Sequence, residues 1–219
     1  MMKASTISAV ALLAACASTA TAGLTVKDLE TAAPPAFFIG RPMTYQDNPD
    51  PRGEFAQVTD ILFGGVPRVF FDIPLDSRIV GSSWGTWSHG FTDSVYWTQG
   101  ATSLNMTFAA GVTTCVFYAE PNPFDTFDIT ATSIDADGDV FTLTLSVTGD
   151  SGAKGWAIAA DNGETLVSVN VTSTVDFAVG EFGVSSALGP CSPGDINADG
   201  VINVGDFFAF IAMFAAGCP

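Results

Sequence analysis

The chain has 219 residues, 47% of them hydrophobic, and a formal net charge of −16 set by 23 acidic against 7 basic side chains. Such a surface repels a phosphate backbone, which excludes nucleic acid as a partner, and it favours divalent cations and solubility in saline surroundings. The length suits one domain with a small appendage and excludes two large ones.

Residues 1–22 have the three parts of a secretory signal: Lys3 near the start, an apolar run ending at Ala15, and the small-residue end Ala20-Thr21-Ala22. They predict an exported protein, secreted or held at the cell surface. Leu13-Ala14-Ala15-Cys16 offers a rival processing site, resembling a bacterial lipobox in which Cys16 is lipidated; Ala20-Thr21-Ala22 before Gly23 is the better-placed one. No later stretch reaches roughly 18 uninterrupted apolar residues, so no membrane span is expected once the signal is removed.

Residues 23–53 contain five prolines and few periodic apolar positions, and read as an irregular lead-in with at most a strand around 37–39. Across residues 54–184, short β-branched and aromatic runs recur between Gly, Pro, Asp and Asn clusters. Strands are predicted over 69–73, 95–97, 103–108, 113–120, 126–133, 140–147, 154–159, 166–172 and 175–182. Phe141, Leu143, Leu145 and Val147 fall on one strand face, with Thr142, Thr144 and Ser146 on the other. Leu104, Met106 and Phe108 repeat the pattern, as do Val167, Val169 and Val171. One-sided strands suit antiparallel sheets in two layers, so the expected fold is mainly β, a jelly-roll-like antiparallel β-sandwich. Cys115 lies in an apolar run and reads as a buried inert thiol.

Residues 185–194, rich in Ser, Gly and Pro, form a linker to a different kind of segment at 195–219. Asp195, Asn197, Asp199, Asn203 and Asp206 place oxygen donors at positions 1, 3, 5, 9 and 12 of a twelve-residue loop. Gly200 at position 6 allows the sharp bend, and Val201 at position 7 offers its carbonyl, which together predict a Ca²⁺ site. A helix is expected over 204–216. Phe207, Phe208, Phe210, Ile211, Met213 and Phe214 cover nearly its whole circumference, so it has to bury against its own β-domain or an external receptor. Cys191 and Cys218 flank this segment and, in an oxidising compartment, are natural disulfide partners.

A calcium loop followed by one helix, with Asp206 at position 12, resembles the dockerin repeat. The frame Cys191…Gly217-Cys218-Pro219 is similar to Gly-Cys-ending dockerin-type tails on exported proteins of planctomycete-like bacteria. One repeat stands where cellulosomal dockerins have two, so a cohesin-like or cell-surface protein receptor for the helix is only what the resemblance implies. The β-domain resembles exported sandwich domains of PEP-CTERM-type surface proteins through 101–108, Val116-Phe-Tyr-Ala-Glu-Pro-Asn-Pro-Phe124 and Asp176-Phe-Ala-Val-Gly-Glu-Phe182. Those domains have no established activity, and the Pro-Glu-Pro sorting signal is missing from this chain.

Chemistry in the β-domain is sparsely signalled. His89 is the only histidine, no nucleophile-elbow sequence accompanies it, and a multi-histidine zinc site is excluded. Glu120 and Glu181 end apolar runs and have the residue type a glycosidase needs, with nothing in the sequence fixing their separation. Asp135-Ala-Asp137-Gly138-Asp139 has calcium-like alternation but joins two good strands and reads first as a hairpin turn. Trp84, Trp87, Tyr96 and Trp97 are either core aromatics or a platform on which sugars stack. The expectation is a non-catalytic exported sandwich with a calcium-dependent tail for anchoring, sorting or assembly. The alternative is a carbohydrate-binding module or polysaccharide-active secreted protein, with polysaccharide as partner.

Overall fold

In the computed structural model, residues 23–161 and 164–186 are described, together with Val204, Phe207, Phe208 and Ile211 of the tail. All nine expected strands are present, joined by five more. In chain order they are β1 (Leu24–Glu30), β2 (Phe37–Phe38), β3 (Arg41–Pro42), β4 (Thr44–Tyr45), β5 (Gln57–Phe63), β6 (Val66–Ile79) and β7 (Ser94–Trp97). There follow β8 (Ser103–Phe108), β9 (Val112–Pro121), β10 (Thr126–Asp135), β11 (Val140–Thr148), β12 (Lys154–Ala160), β13 (Leu166–Ser173) and β14 (Phe177–Ser186). The main sheet runs β1-β12-β9-β14-β7-β6-β8-β13-β10-β11, with β4 added to β14 and β5 to β6; β2 and β3 pair separately.

Every one of these ladders is antiparallel, and the long sheet folds over on itself as a β-sandwich. The corner is β6. Its residues Val69 to Phe71 pair with β8, while Asp76 to Ile79 pair with β7, and Pro74, which has no N–H to offer a ladder, lies between. One layer is therefore β1-β12-β9-β14-β7 and the other β6-β8-β13-β10-β11. Strands β10, β11 and β13 face β9 and β1 across the core. The filling includes Phe117, Trp156 and Phe182 from the first layer and Leu104, Met106, Ile129, Leu145 and Val169 from the second. Phe117 and Trp156 stack with centroids 5.3 Å apart, and the Trp156 indole N–H donates to the Leu143 carbonyl opposite at 3.2 Å.

The two layers differ in what covers their outer faces. The outer face of β10 and β11 meets solvent, where Thr126–Thr148, Thr130–Thr144 and Thr132–Thr142 join hydroxyls at 3.0, 2.8 and 3.1 Å. The first layer is covered on both sides, so β9 is buried at all ten positions. A second apolar cluster, including Phe38, Val80, Trp84, Trp87, Val116, Tyr118 and Ala157, packs on its outer face. Chain segments 31–45 and 80–93 supply that cover. A strand buried on both faces reads as a continuous apolar run instead of an alternation, which is how β9 reads.

Three expectations need correction. The lead-in is not wholly irregular, because β1 pairs in register with β12 from Leu24↔Ala160 to Asp28↔Trp156; Lys27, Asp28 and Glu30, placed on a sheet edge, hide its strand character. Phe141 and Val167 are exposed although their alternation partners are buried. Phe141 lies beside the β10–β11 turn, and the β10–β13 register shifts between Ile134 and Asp135, where Val167 is carried out of the core. Residues 1–22, the calcium loop and the Cys191 and Cys218 pair lie outside the described residues. Of the expected terminal helix, four separate positions are described as helical and exposed. No helix among the described residues is long and apolar enough to cross a membrane.

Tyr118 lies over Gly155 across the β9–β12 ladder, and a Cβ at 155 would meet its ring at 2.5 Å. Gly155→Ala is therefore expected to lose about 1–3 kcal/mol in urea unfolding, the cost of an overpacked core. Unchanged stability would show that this close approach is not needed.

Candidate functional site

At one end of the covered layer, the last residues of β9 meet the 80–93 segment and the turn between β11 and β12. On β9, Cys115, Phe117 and Ala119 point into the sandwich, so Glu120 points to the outer face. There it is 1% exposed. The Trp84 indole N–H donates to its Oε2 at 2.7 Å, while Oε1 lies 3.4 Å from the Thr86 hydroxyl and 3.3 Å from the Gly152 N–H. Burial pushes the Glu120 carboxyl up to about 7, against the opposing pull of those three donors.

A cavity of about 100 Å³ opens above this carboxyl, lined by Ser83 to Thr86, Glu120 to Asn122, Phe124 and Gly149. Its rim is Phe124, which is 71% exposed. The ring leans on the backbone of the 80–93 segment, and a Cβ on Gly85 would come within 3.0 Å of it, so a larger residue there displaces the ring. Asn122 is fixed beside it: its N–H donates to the Asp176 carbonyl at 3.0 Å and its amide nitrogen to the Asp176 carboxylate at 3.1 Å. The rim is thus apolar and the floor polar, with hydroxyl, amide and carboxyl groups converging.

A second buried carboxyl, Glu181, lies on the neighbouring strand. The β9–β14 register shifts between Gly180 and Gly183, and Glu181 sits in that bulge at φ 53°. It accepts the Trp87 indole N–H at 2.5 Å, and His89 Nε2 lies 2.8 Å from its other oxygen. Burial raises the Glu181 carboxyl above the usual range, opposed by His89 and Trp87. Ser88 Oγ is 2.9 Å from His89 Nδ1, which strings a hydroxyl, an imidazole and a carboxyl together. Ser88 is 1% exposed and none of the three lines the cavity. Glu120 stands opposite Ala178, three residues from Glu181 along β14 and so roughly 10 Å away along the strand direction.

Of the residues singled out in the sequence, Glu120 and Trp84 meet at this cavity, and the aromatic cluster takes the core reading, not the platform. Trp84 and Trp87 are 7% and 5% exposed and Tyr96 is buried; Trp97 is half-buried beneath the Arg78 guanidinium, 4.9 Å from its ring centroid. These rings offer no stacking platform. The exposed ring, Phe124, escapes sequence reasoning because it belongs to no alternation; its one signal is an aromatic between Pro123 and Asp125 in a turn. Cys115 is buried and free. The expected calcium ligands Asp195, Asn197, Asp199, Val201, Asn203 and Asp206 lie outside the described residues.

No family model matches the chain, and no curated protein matches it. Among solved structures, it is similar to the C-terminal family 22 carbohydrate-binding module of Clostridium thermocellum Xyn10B, with 14% identity and a TM-score of 0.34. That likeness covers 64% of this chain and 98% of the other. The family 11 carbohydrate-binding module of the C. thermocellum cellulosomal cellulase Lic26A-Cel5E gives 13% identity and a TM-score of 0.28, over 63% and 96% of the two chains. The arabinose-bound α-L-arabinofuranosidase MgGH51 gives 8% and 0.34, over 78% of this chain and 30% of that one.

A raised carboxyl binds more protons folded than unfolded between about 4.5 and 7, so its contribution is complete below that window and lost as pH rises through it. Glu120→Gln, which has nearly the same shape and no proton to lose, is expected to gain stability over the wild type as pH rises from 5 to 8. Parallel profiles in urea unfolding would mean that Glu120 does not titrate in that window.

Proposed function

We propose that this is a non-catalytic β-sandwich that binds polysaccharide at the Glu120 cavity. The observation that carries the reading is the exposed Phe124 ring standing over a floor of Glu120, Thr86, Ser83 and Asn122. A pyranose has an apolar C–H face and a rim of hydroxyls, and it needs an aromatic surface beside several short polar side chains. The cavity is small against the roughly 300–1,000 Å³ of a pocket that engulfs its ligand. It takes the edge of one sugar, with the rest of the chain lying across the surface.

Hydrolysis is not part of the proposal. A glycosidase positions two carboxyls on either side of one bond, whereas Glu120 opens to the cavity and Glu181 is sealed beneath Trp87 and His89. Calcium-dependent attachment through residues 195–219 remains the proposed role of the tail, resting on the donor spacing of its loop.

Phe124→Ala should weaken retention on soluble polysaccharides in affinity electrophoresis by tenfold or more while leaving the unfolding midpoint nearly unchanged, since the ring is exposed. Trp84→Ala should instead unfold the cover segment. Equal retention by Phe124→Ala and wild type, on a glycan the wild type binds, would sink the assignment of this cavity. For the tail, Asp195→Ala or Asp206→Ala should lower calcium uptake in calorimetry of the full chain, and unchanged uptake would remove the loop as its binding site.

A further inference from the structure

The turn between β10 and β11 is the hairpin that its sequence predicts. Asp135 Oδ1 accepts the backbone N–H groups of Asp137 at 3.2 Å and Asp139 at 2.9 Å. Gly138 takes φ 86°, which closes the bend. That accounts for one of the two oxygens of Asp135. The residue is 1% exposed, and Oδ2 is buried without any hydrogen-bond partner.

The segment ahead of β13 lies against the same turn, where the Ala136 N–H donates to the Thr165 carbonyl at 3.0 Å. This brings Glu164 beside the turn, close enough for the charges of Asp137 and Asp135 to act on its carboxyl. Carboxylates cannot donate to one another, and Glu164 Oε2 is likewise buried with no partner. Among the described residues, none of the ion pairs reaches this group. Two orphaned carboxylate oxygens and a third carboxylate, drawn from two chain segments, are costly together unless a proton or a cation joins them.

We propose that Asp135 Oδ2, Glu164 Oε2 and the Asp137 carboxylate bind a calcium ion that ties the β10–β11 turn to the entry of β13, separately from the loop at 195–206. No three acidic, His or Cys side chains among the described residues already converge on one metal position. Binding therefore draws the exposed Asp137 inward, and carbonyls and waters complete the shell. Calcium accepts such an irregular set of six to eight oxygens, whereas magnesium demands an octahedron.

The test uses the full chain carrying Asp195→Ala and Asp199→Ala, so that the tail loop is silent. Calorimetry at pH 7 should still show one calcium bound, and the unfolding midpoint should rise with free calcium, as mass action requires, with magnesium giving a smaller rise. Adding Glu164→Gln or Asp137→Asn should weaken calcium binding by tenfold or more. Glu164→Gln should also raise the midpoint in chelator, because it relieves the repulsion; a variant that merely misfolds would lower it. No calcium uptake by the tail-silenced chain, or uptake unchanged by Glu164→Gln, overturns the proposal.

Discussion

Two indole N–H groups three residues apart, on Trp84 and Trp87, each end on a buried carboxyl, Glu120 and Glu181. The covered layer depends on these two hydrogen bonds. Strands β9 and β14 are buried on both faces, so each polar group they carry outward needs a donor from the covering segment or costs on the order of 1–3 kcal/mol. The indoles supply that donor and bury their rings over the sheet in the same contact. A cover held only by apolar contact would slide; one pinned at two carboxyls has a single register over the sheet. The position of the cavity follows from the first pin, since Ser83 to Thr86 sit where Trp84 holds them.

The bulge in β14 shows how the second pin is made possible. Alternation continued from Phe177 and Val179, which face the core, would turn Glu181 inward and Phe182 outward; the shift between Gly180 and Gly183 absorbs one extra residue, so Phe182 packs in the core and Glu181 meets the cover. Gly180 and Gly183 leave room for Val95 and Tyr45, whose atoms lie 2.9 and 2.6 Å from where Cβ atoms would stand. Positive φ at Glu181 and His89 is a local cost that the paired side chains offset.

How much of this is legible in the sequence depends on which layer a strand joins. Strands β8, β10 and β11 have one wet face, and Leu104, Met106, Leu145 and Val147 declare it by alternation. Strand β9 is apolar throughout, so its sequence shows a strand but not which residues face the cover. Trp84 and Trp87 are visible as a cluster, yet composition carries no sign of whether a ring lies under a loop or above it. Their donors decide the matter, because a buried indole needs an acceptor, and Glu120 and Glu181 lie 36 and 94 residues further along the chain. Glu164 is illegible for the same reason: it reaches Asp135 and Asp137 only through the β10–β13 ladder.

The sheet order also governs when the chain can fold. Strand β14, the last among the described residues, is interior to the first layer, between β9 and β7, and β1, the first among them, waits for β12 across a separation of more than a hundred residues. The first layer cannot close until residue 186 has been delivered, whereas the strands of the second are complete at Ser173. Loop closure over such distances is slow, so the first layer is completed late, when β14 enters between β9 and β7 and gives the second layer the surface against which it packs.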